Sequence, residues 1–208
     1  MAESKFLRAY YYFRLNRVFK GVPVYLEPVE DSECTNARET VDKVWEVILS
    51  DLNDCVNSTN LPNKYVGGDP NYGRVTKGAA YALMGQTYMW MKDYPNAEKA
   101  LRKVGELGFA LFQGEYKQLF KEANEDCDEM IFSEQNIGVN GYGGKTEFWL
   151  GSRVSFGSCW NSYLPSVHWV ESFECVDGTP FNWNDFLPGY NEMTPLERVA
   201  FFLRDTVA

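Results

Sequence analysis

The most constraining stretch of the chain runs from residue 76 to residue 108. Two segments of helix-forming composition, Lys77 to Met91 and Tyr94 to Leu107, are separated only by Lys92-Asp93. So short a link requires an antiparallel helical hairpin. Asp93 is placed to cap the second helix, and Pro95 falls in its first turn, where a missing N–H removes no hydrogen bond. Gly108 supplies the stop. Within the hairpin Tyr81, Met84, Gly85, Tyr88, Ala97 and Leu101 recur at the spacing of a tetratricopeptide repeat. Gly85 and Ala97 are small enough to let the helices approach closely, while Tyr88 and Leu101 fill the seam. The plainer reading of the same pattern is an ordinary helical hairpin. In either case one hairpin cannot bury its apolar face alone, so it needs helical neighbours.

Two neighbours lie upstream. Ser4 to Lys20 carries Phe6, Leu7, Tyr10, Tyr11, Phe13, Leu15, Val18 and Phe19, which cover most of the helical circumference and predict a buried helix. It stops at Gly21, and Val22-Pro23-Val24-Tyr25-Leu26 reads as extended chain. Asn36 with Glu39 resembles a capping box opening a second helix, whose Val41, Val44, Trp45, Ile48, Leu52 and Val56 form one stripe. Pro62, Gly67-Gly68, Pro70 and Gly73 make residues 57 to 75 a loop.

After residue 110 the helical rhythm fades. Glu115 to Phe120 predicts one helical turn, and Glu129 to Gln135 a short strand. Six glycines between 138 and 157 favour loops. Thr194-Pro195-Leu196-Glu197 is a capping box with proline at the first helical position, opening a final helix that runs to Ala208 without a stop signal. The expected fold is therefore mostly α. Residues 1–110 form a tetratricopeptide-like helical scaffold, and residues 111–208 a loop-rich, aromatic-rich portion with short strands.

Charge and motifs narrow the chemistry. With 29 acidic and 20 basic residues the chain carries a net charge of -9, a poor match to a phosphate backbone, so no nucleic-acid partner is expected. No run of 18 apolar residues provides a membrane span. Met1-Ala-Glu-Ser-Lys5 lacks the apolar core of an export signal. The cysteines at 34, 55, 127, 159 and 175 form no CxxC pair and read as buried free thiols. Gly144-Lys145-Thr146 is not a phosphate-binding loop, because Val139 stands where that pattern requires glycine. His168 is the only histidine, which excludes HExxH and favours a satisfied structural role. Glu122, Glu125, Asp126, Asp128 and Glu129 read as a solvated acidic run rather than a cation site. No catalytic residue, metal site or cofactor is expected.

What remains is a binding surface. From 131 to 190 there are 13 aromatic residues, including Trp149, Trp160, Trp169 and Trp183, and no Lys or Arg falls between Val154 and Glu197. The apolar faces of pyranose rings pack on aromatic planes, while sugar hydroxyls bond to amides and guanidinium groups. Trp149, Arg153, Trp160 and Asn161 are the candidate ligand-binding residues on that ground. Core packing is the competing role for any one of these rings.

Several strings in order resemble the SusD/RagB family of outer-membrane nutrient-uptake proteins: Leu7-Arg-Ala-Tyr-Tyr-Tyr-Phe13 leading into Gly21-Val-Pro-Val-Tyr25, Val44-Trp45-Glu-Val-Ile-Leu-Ser-Asp-Leu52, and Gly73-Arg-Val-Thr-Lys-Gly-Ala-Ala80. Glu129-Met-Ile-Phe-Ser-Glu134, Asp177-Gly-Thr-Pro180 and Phe201-Phe-Leu-Arg-Asp205 continue the series. The resemblance implies a non-catalytic cell-surface lipoprotein that binds a glycan or oligosaccharide, in some members a peptide. Such a protein sits as a lid on a SusC-like TonB-dependent transporter. It also implies an outer-membrane location through a lipid anchor that this sequence does not contain, and a longer protein of which the chain is an internal piece. Two other functions compete with glycan capture: a tetratricopeptide adaptor that recognises a protein partner through its helical groove, and a glycoside hydrolase.

Overall fold

The computed structural model describes residues 1–133 and 166–198. One compact unit comprises Met1–Gln135 and a second Asn136–Ala208. The first holds α1 (Ala2–Phe19), α2 (Val41–Asn57), α3 (Lys77–Trp90), α4 (Tyr94–Glu106) and the single turn α5 (Tyr116–Leu119). The second holds the short helices α6 (Val167–Glu171) and α7 (Trp183–Phe186). Among the described residues the only β pairing is an isolated bridge between Glu174 and Pro180. The fold is the helical, tetratricopeptide-like one that the repeat spacing predicts.

α1 and α2 run antiparallel. Going up α1, Ala2 meets Cys55, Lys5 pairs with Asp54, Arg8 with Asp51, and Asn16 with Val41. The Asp51 carboxylate is almost fully buried on α2, and Arg8 grips it with a fork, Nε to Oδ2 at 2.8 Å and Nη2 to Oδ1 at 2.7 Å. A third Arg8 donor reaches the Leu26 carbonyl, so the same guanidinium fixes the connection between the helices. Around this pair Phe6, Ala9 and Phe13 pack on Val44, Trp45, Ile48 and Leu52, all buried.

The α1–α2 connection is held extended by side chains. Lys20 and Gly21 both have positive φ, and a Cβ on Gly21 would collide with the Glu39 carbonyl oxygen. Buried Asn16 accepts from the Gly21 N–H at 2.7 Å, and Arg38 donates to the Gly21 carbonyl at 2.7 Å. The Tyr12 hydroxyl accepts from the Tyr25 N–H at 2.7 Å. Asn36 does not cap α2. Its amide donates to the Val24 carbonyl at 2.9 Å, and Thr40 is the cap, accepting from the Lys43 N–H at 3.2 Å. Thr40 stands directly before the first helical residue, so its short hydroxyl reaches the orphan donor, which Asn36 is too far upstream to do.

The α3–α4 hairpin follows its sequence closely. Thr76 caps α3 and Asp93 caps α4 through the Ala79 and Asn96 N–H groups. Pro95 lies in the first turn, and Gly108 has φ +94° just past the last turn. A Cβ on Gly85 would fall 2.5 Å from Leu101 Cγ, which is the close approach its small size permits. α2 packs on α3 and joins the two hairpins into one core.

Three features depart from the sequence expectation. α1 is buried only along Phe6, Ala9, Phe13 and Asn16, while Leu7, Tyr11, Leu15 and Val18 are exposed. A helix buries only the faces that other elements cover, and α2 and α3 cover one side of it. Residues 129–133 form no strand; Ile131 packs on the core and Phe132 sets its ring edge against Phe6, 5.1 Å between centroids. Among the described residues no strand edge lies beside them to take their backbone hydrogen bonds, and their side chains pack on the core instead. Residues 111–133 thus lie in the first unit, and the expected scaffold boundary at residue 110 falls inside it.

The four described cysteines are free, as expected, but only Cys55 is buried, and Cys34 is exposed. Burial, with help from Asp51 and Asp54, pushes the Cys55 thiol up to about 11, so it stays protonated at neutral pH. Ellman's reagent at pH 8 is expected to modify Cys34 rapidly in the native protein and Cys55 only on unfolding. Asp51→Ala strands the Arg8 guanidinium and is expected to destabilise the helical unit by about 3 kcal/mol in urea unfolding, against under about 1 kcal/mol for Glu98→Ala in an exposed α4 pair.

Candidate functional site

Trp149, Arg153, Trp160 and Asn161, like Gly144-Lys145-Thr146, lie outside the described residues. The flanking segment 166–198 is described, and it sorts two tryptophans into different environments. On α6, Ser166 caps the turn by accepting from the Trp169 N–H at 3.2 Å, and Ser172 donates back to the Trp169 carbonyl at 2.7 Å. Trp169 is held with its ring 58% exposed. Phe173, one turn on and 56% exposed, meets it edge to face with centroids 4.7 Å apart. Two adjoining apolar rings therefore face solvent.

A tight turn follows. Asp177 accepts from the Thr179 N–H at 3.0 Å and from its hydroxyl at 2.7 Å, and these bonds hold the Asp177 carboxyl below the usual carboxylate range. Gly178 takes φ +80°, which lets Cys175 and Thr179 bond across the turn at 2.8 Å. This explains Asp177-Gly-Thr-Pro180 locally: aspartate and glycine make the turn, and Pro180 closes it opposite Glu174.

Trp183 plays a different part. Its indole N–H donates to Glu171 at 2.9 Å, tying α7 to α6. Its ring lies 4.8 Å from buried Tyr190 and 4.9 Å from Phe181, which stacks on Phe186. Arg198 lies over the Tyr190 ring, with its guanidinium carbon 4.6 Å from the ring centroid. The capping box that places Arg198 forms as expected, with Thr194 and Glu197 exchanging bonds at 2.7 and 3.4 Å. Half-buried Trp183 thus belongs to an aromatic cluster around buried Tyr190, and Trp169 to a surface. Composition alone treats the two alike.

His168 is not held in the satisfied structural role its sequence setting suggests. Its side chain is 98% exposed, with Nδ1 3.7 Å from Glu171. It sits on the solvent-facing side of a five-residue helix. Two members of the acidic run bond to the helical unit: Asp128 pairs with Lys64, and Glu129 accepts from the Phe112 N–H at 2.7 Å.

The helical unit carries two concavities that the sequence did not signal. A polar cleft of about 760 Å³ is lined by Glu3, Lys5, Asp54, Asn57, Tyr65 and Arg74. An apolar groove of about 400 Å³ runs along Leu101, Val104, Phe109, Leu111 and Ile131. Both arise where loop residues distant in sequence return to the helices, which no local pattern records.

The described residues thus combine a tetratricopeptide-like helical scaffold with a second unit that exposes two aromatic rings. Residues 1–89 match the model of a SusD-like family described as starch-binding and associating with the outer membrane. Among solved structures, a SusD-like protein of Bacteroides fragilis is 26% identical, with a TM-score of 0.76 over 90% of this chain and 37% of that one. A SusD-like carbohydrate-binding protein of the same species is 28% identical, with a TM-score of 0.77 over 91% of this chain and 36% of that one. Surface glycan-binding protein A of Bacteroides uniformis is 31% identical, with a TM-score of 0.55 over 63% of this chain and 29% of that one. No curated protein sequence matches. The chain is similar to SusD-like proteins, in sequence over residues 1–89 and in fold over about nine-tenths of its length. It spans little more than a third of the length of the first two of these structures.

The two tryptophans give a direct check of this division. Trp183→Ala removes a ring packed on two others and is expected to lower stability by about 2–3 kcal/mol, whereas Trp169→Ala is expected to change it by under about 0.5 kcal/mol. Urea unfolding followed by circular dichroism measures both.

Proposed function

We propose that the chain captures a neutral glycan or oligosaccharide without turning it over, as a surface component of outer-membrane nutrient uptake. The observation that carries this reading is the exposed Trp169–Phe173 pair. Two exposed rings set edge to face against each other offer apolar faces on which a pyranose can pack, and exposure of both has no packing benefit. In this reading Trp149 and Trp160 add further planes, while Arg153 and Asn161 donate to sugar hydroxyls. The solved relatives named for carbohydrate and glycan binding support the ligand class. The family description of starch binding and outer-membrane association supports the setting.

The finer parts of the proposal follow the family. The helical scaffold faces a SusC-like TonB-dependent transporter, the loop-rich portion faces the ligand, and a lipid anchor of the kind family members carry holds the protein at the cell surface. No cofactor or metal takes part.

Affinity electrophoresis against a panel of neutral polysaccharides that includes starch tests this. Retardation is expected on at least one glycan, with no reducing-sugar release. Trp169→Ala is expected to weaken binding by about tenfold, the loss of about 1–2 kcal/mol for one stacked ring. Trp149→Ala and Trp160→Ala test the other two planes in the same assay. Absence of retardation on every glycan overturns the reading. The apolar groove along Leu101, Val104 and Phe109 is the observation that favours an adaptor instead. In that case a peptide ligand is displaced by Val104→Asp and unaffected by Trp169→Ala.

A further inference from the structure

The basic residues of this acidic chain are unevenly placed. α1 and its cap hold Lys5, Arg8, Arg14, Arg17 and Lys20 against the single acid Glu3. Lys5 and Arg8 are spent on Asp54 and Asp51. Arg17 and Lys20 form no ion pair among the described residues. Both instead sit over the Trp90 ring at the end of α3, at 4.8 and 5.2 Å from its centroid. Arg38 joins the same end, donating to the Lys20 and Gly21 carbonyls, and Lys92 follows in the α3–α4 turn. Opposing them at this end are Glu39, Asp42 in the first turn of α2, and Asp93, and the Asp93 carboxylate is engaged in capping α4.

Apolar side chains surround these cations and face solvent. Val18 is 70% exposed, Phe19 57%, Met89 50%, Trp90 45% and Tyr94 63%. The tip of the helical unit where α1 and α3 end is therefore apolar, aromatic and basic together. A tryptophan flanked by Arg and Lys at the water boundary is the combination that membrane interfaces favour. The rings enter the headgroup layer while the cations meet lipid phosphates.

We propose that this tip docks onto an anionic lipid surface and lays the end of the helical unit against the membrane. The occupant follows from charge complementarity: the molecule as a whole is repelled by anionic headgroups, so contact requires a local basic patch, and this tip holds one beside exposed rings. The inference does not rest on glycan binding, and vesicles containing no sugar test it separately.

Co-sedimentation of the full chain with vesicles of phosphatidylcholine alone, and of phosphatidylcholine with phosphatidylglycerol in a two-to-one mixture, is the experiment. Binding is expected to the anionic vesicles, to fall as salt is raised, and to weaken at least about tenfold in Arg17→Glu/Lys20→Glu. Lys99→Glu/Arg102→Glu, the same charge change on the exposed face of α4, is expected to stay within about twofold of the unaltered chain. Circular dichroism confirms that both variants fold. Three results overturn the proposal: no preference for anionic vesicles, binding indifferent to salt in the unaltered chain, or equal loss in the two double variants.

Discussion

The helical unit depends on one buried charge. Asp51 sits inside α2 among Val44, Ile48 and Leu52, where an unpaired carboxylate is prohibitively costly. Arg8 answers it from α1 with two parallel hydrogen bonds and spends a third donor on the connecting loop. A fork of this kind tolerates little sliding, so it fixes the register of α1 on α2, not merely their proximity. Once that register is set, Phe13 meets Trp45, Asn16 closes the helix end against Val41 and Gly21, and the extended Val22–Tyr25 segment falls into place. α3 and α4 then complete the core through α2.

Aromatic residues do three separate jobs in the molecule. Phe6, Phe13 and Trp45 are core. Trp183 and Tyr190 tie together the described part of the second unit through an indole hydrogen bond and an arginine over the Tyr190 ring. Trp169, Phe173 and Trp90 face solvent. Their partners differ: Trp169 and Phe173 meet each other edge to face, whereas Trp90 lies beneath two cations.

Local rules made much of this legible. Asp93, Pro95 and Gly108 bound α4 by chemistry that acts within a few residues, and the structure places each as those rules require. Gly85 gave away the closest helix approach, and Thr194 and Glu197 their capping box. The illegible features are those in which a residue serves a distant partner. Asn36 has the composition of a cap yet clasps Val24; Ile131 and Phe132 have the composition of a strand yet pack as a wedge against α1 and the core. Phe173 could have been noticed as the turn-spaced partner of Trp169, but spacing does not report exposure.

The sequence by itself determined the helices, their caps, the hairpin, the tetratricopeptide spacing and the SusD-like character, because each rests on neighbours within a turn or two or on motifs that survive in order. Only the tertiary structure decided which face of α1 is buried, that Asp51 is an interior anion with Arg8 as its partner, and which tryptophans meet water. Burial is a property of what covers a side chain, and that cover comes from residues far away in the chain: 43 positions separate Arg8 from Asp51.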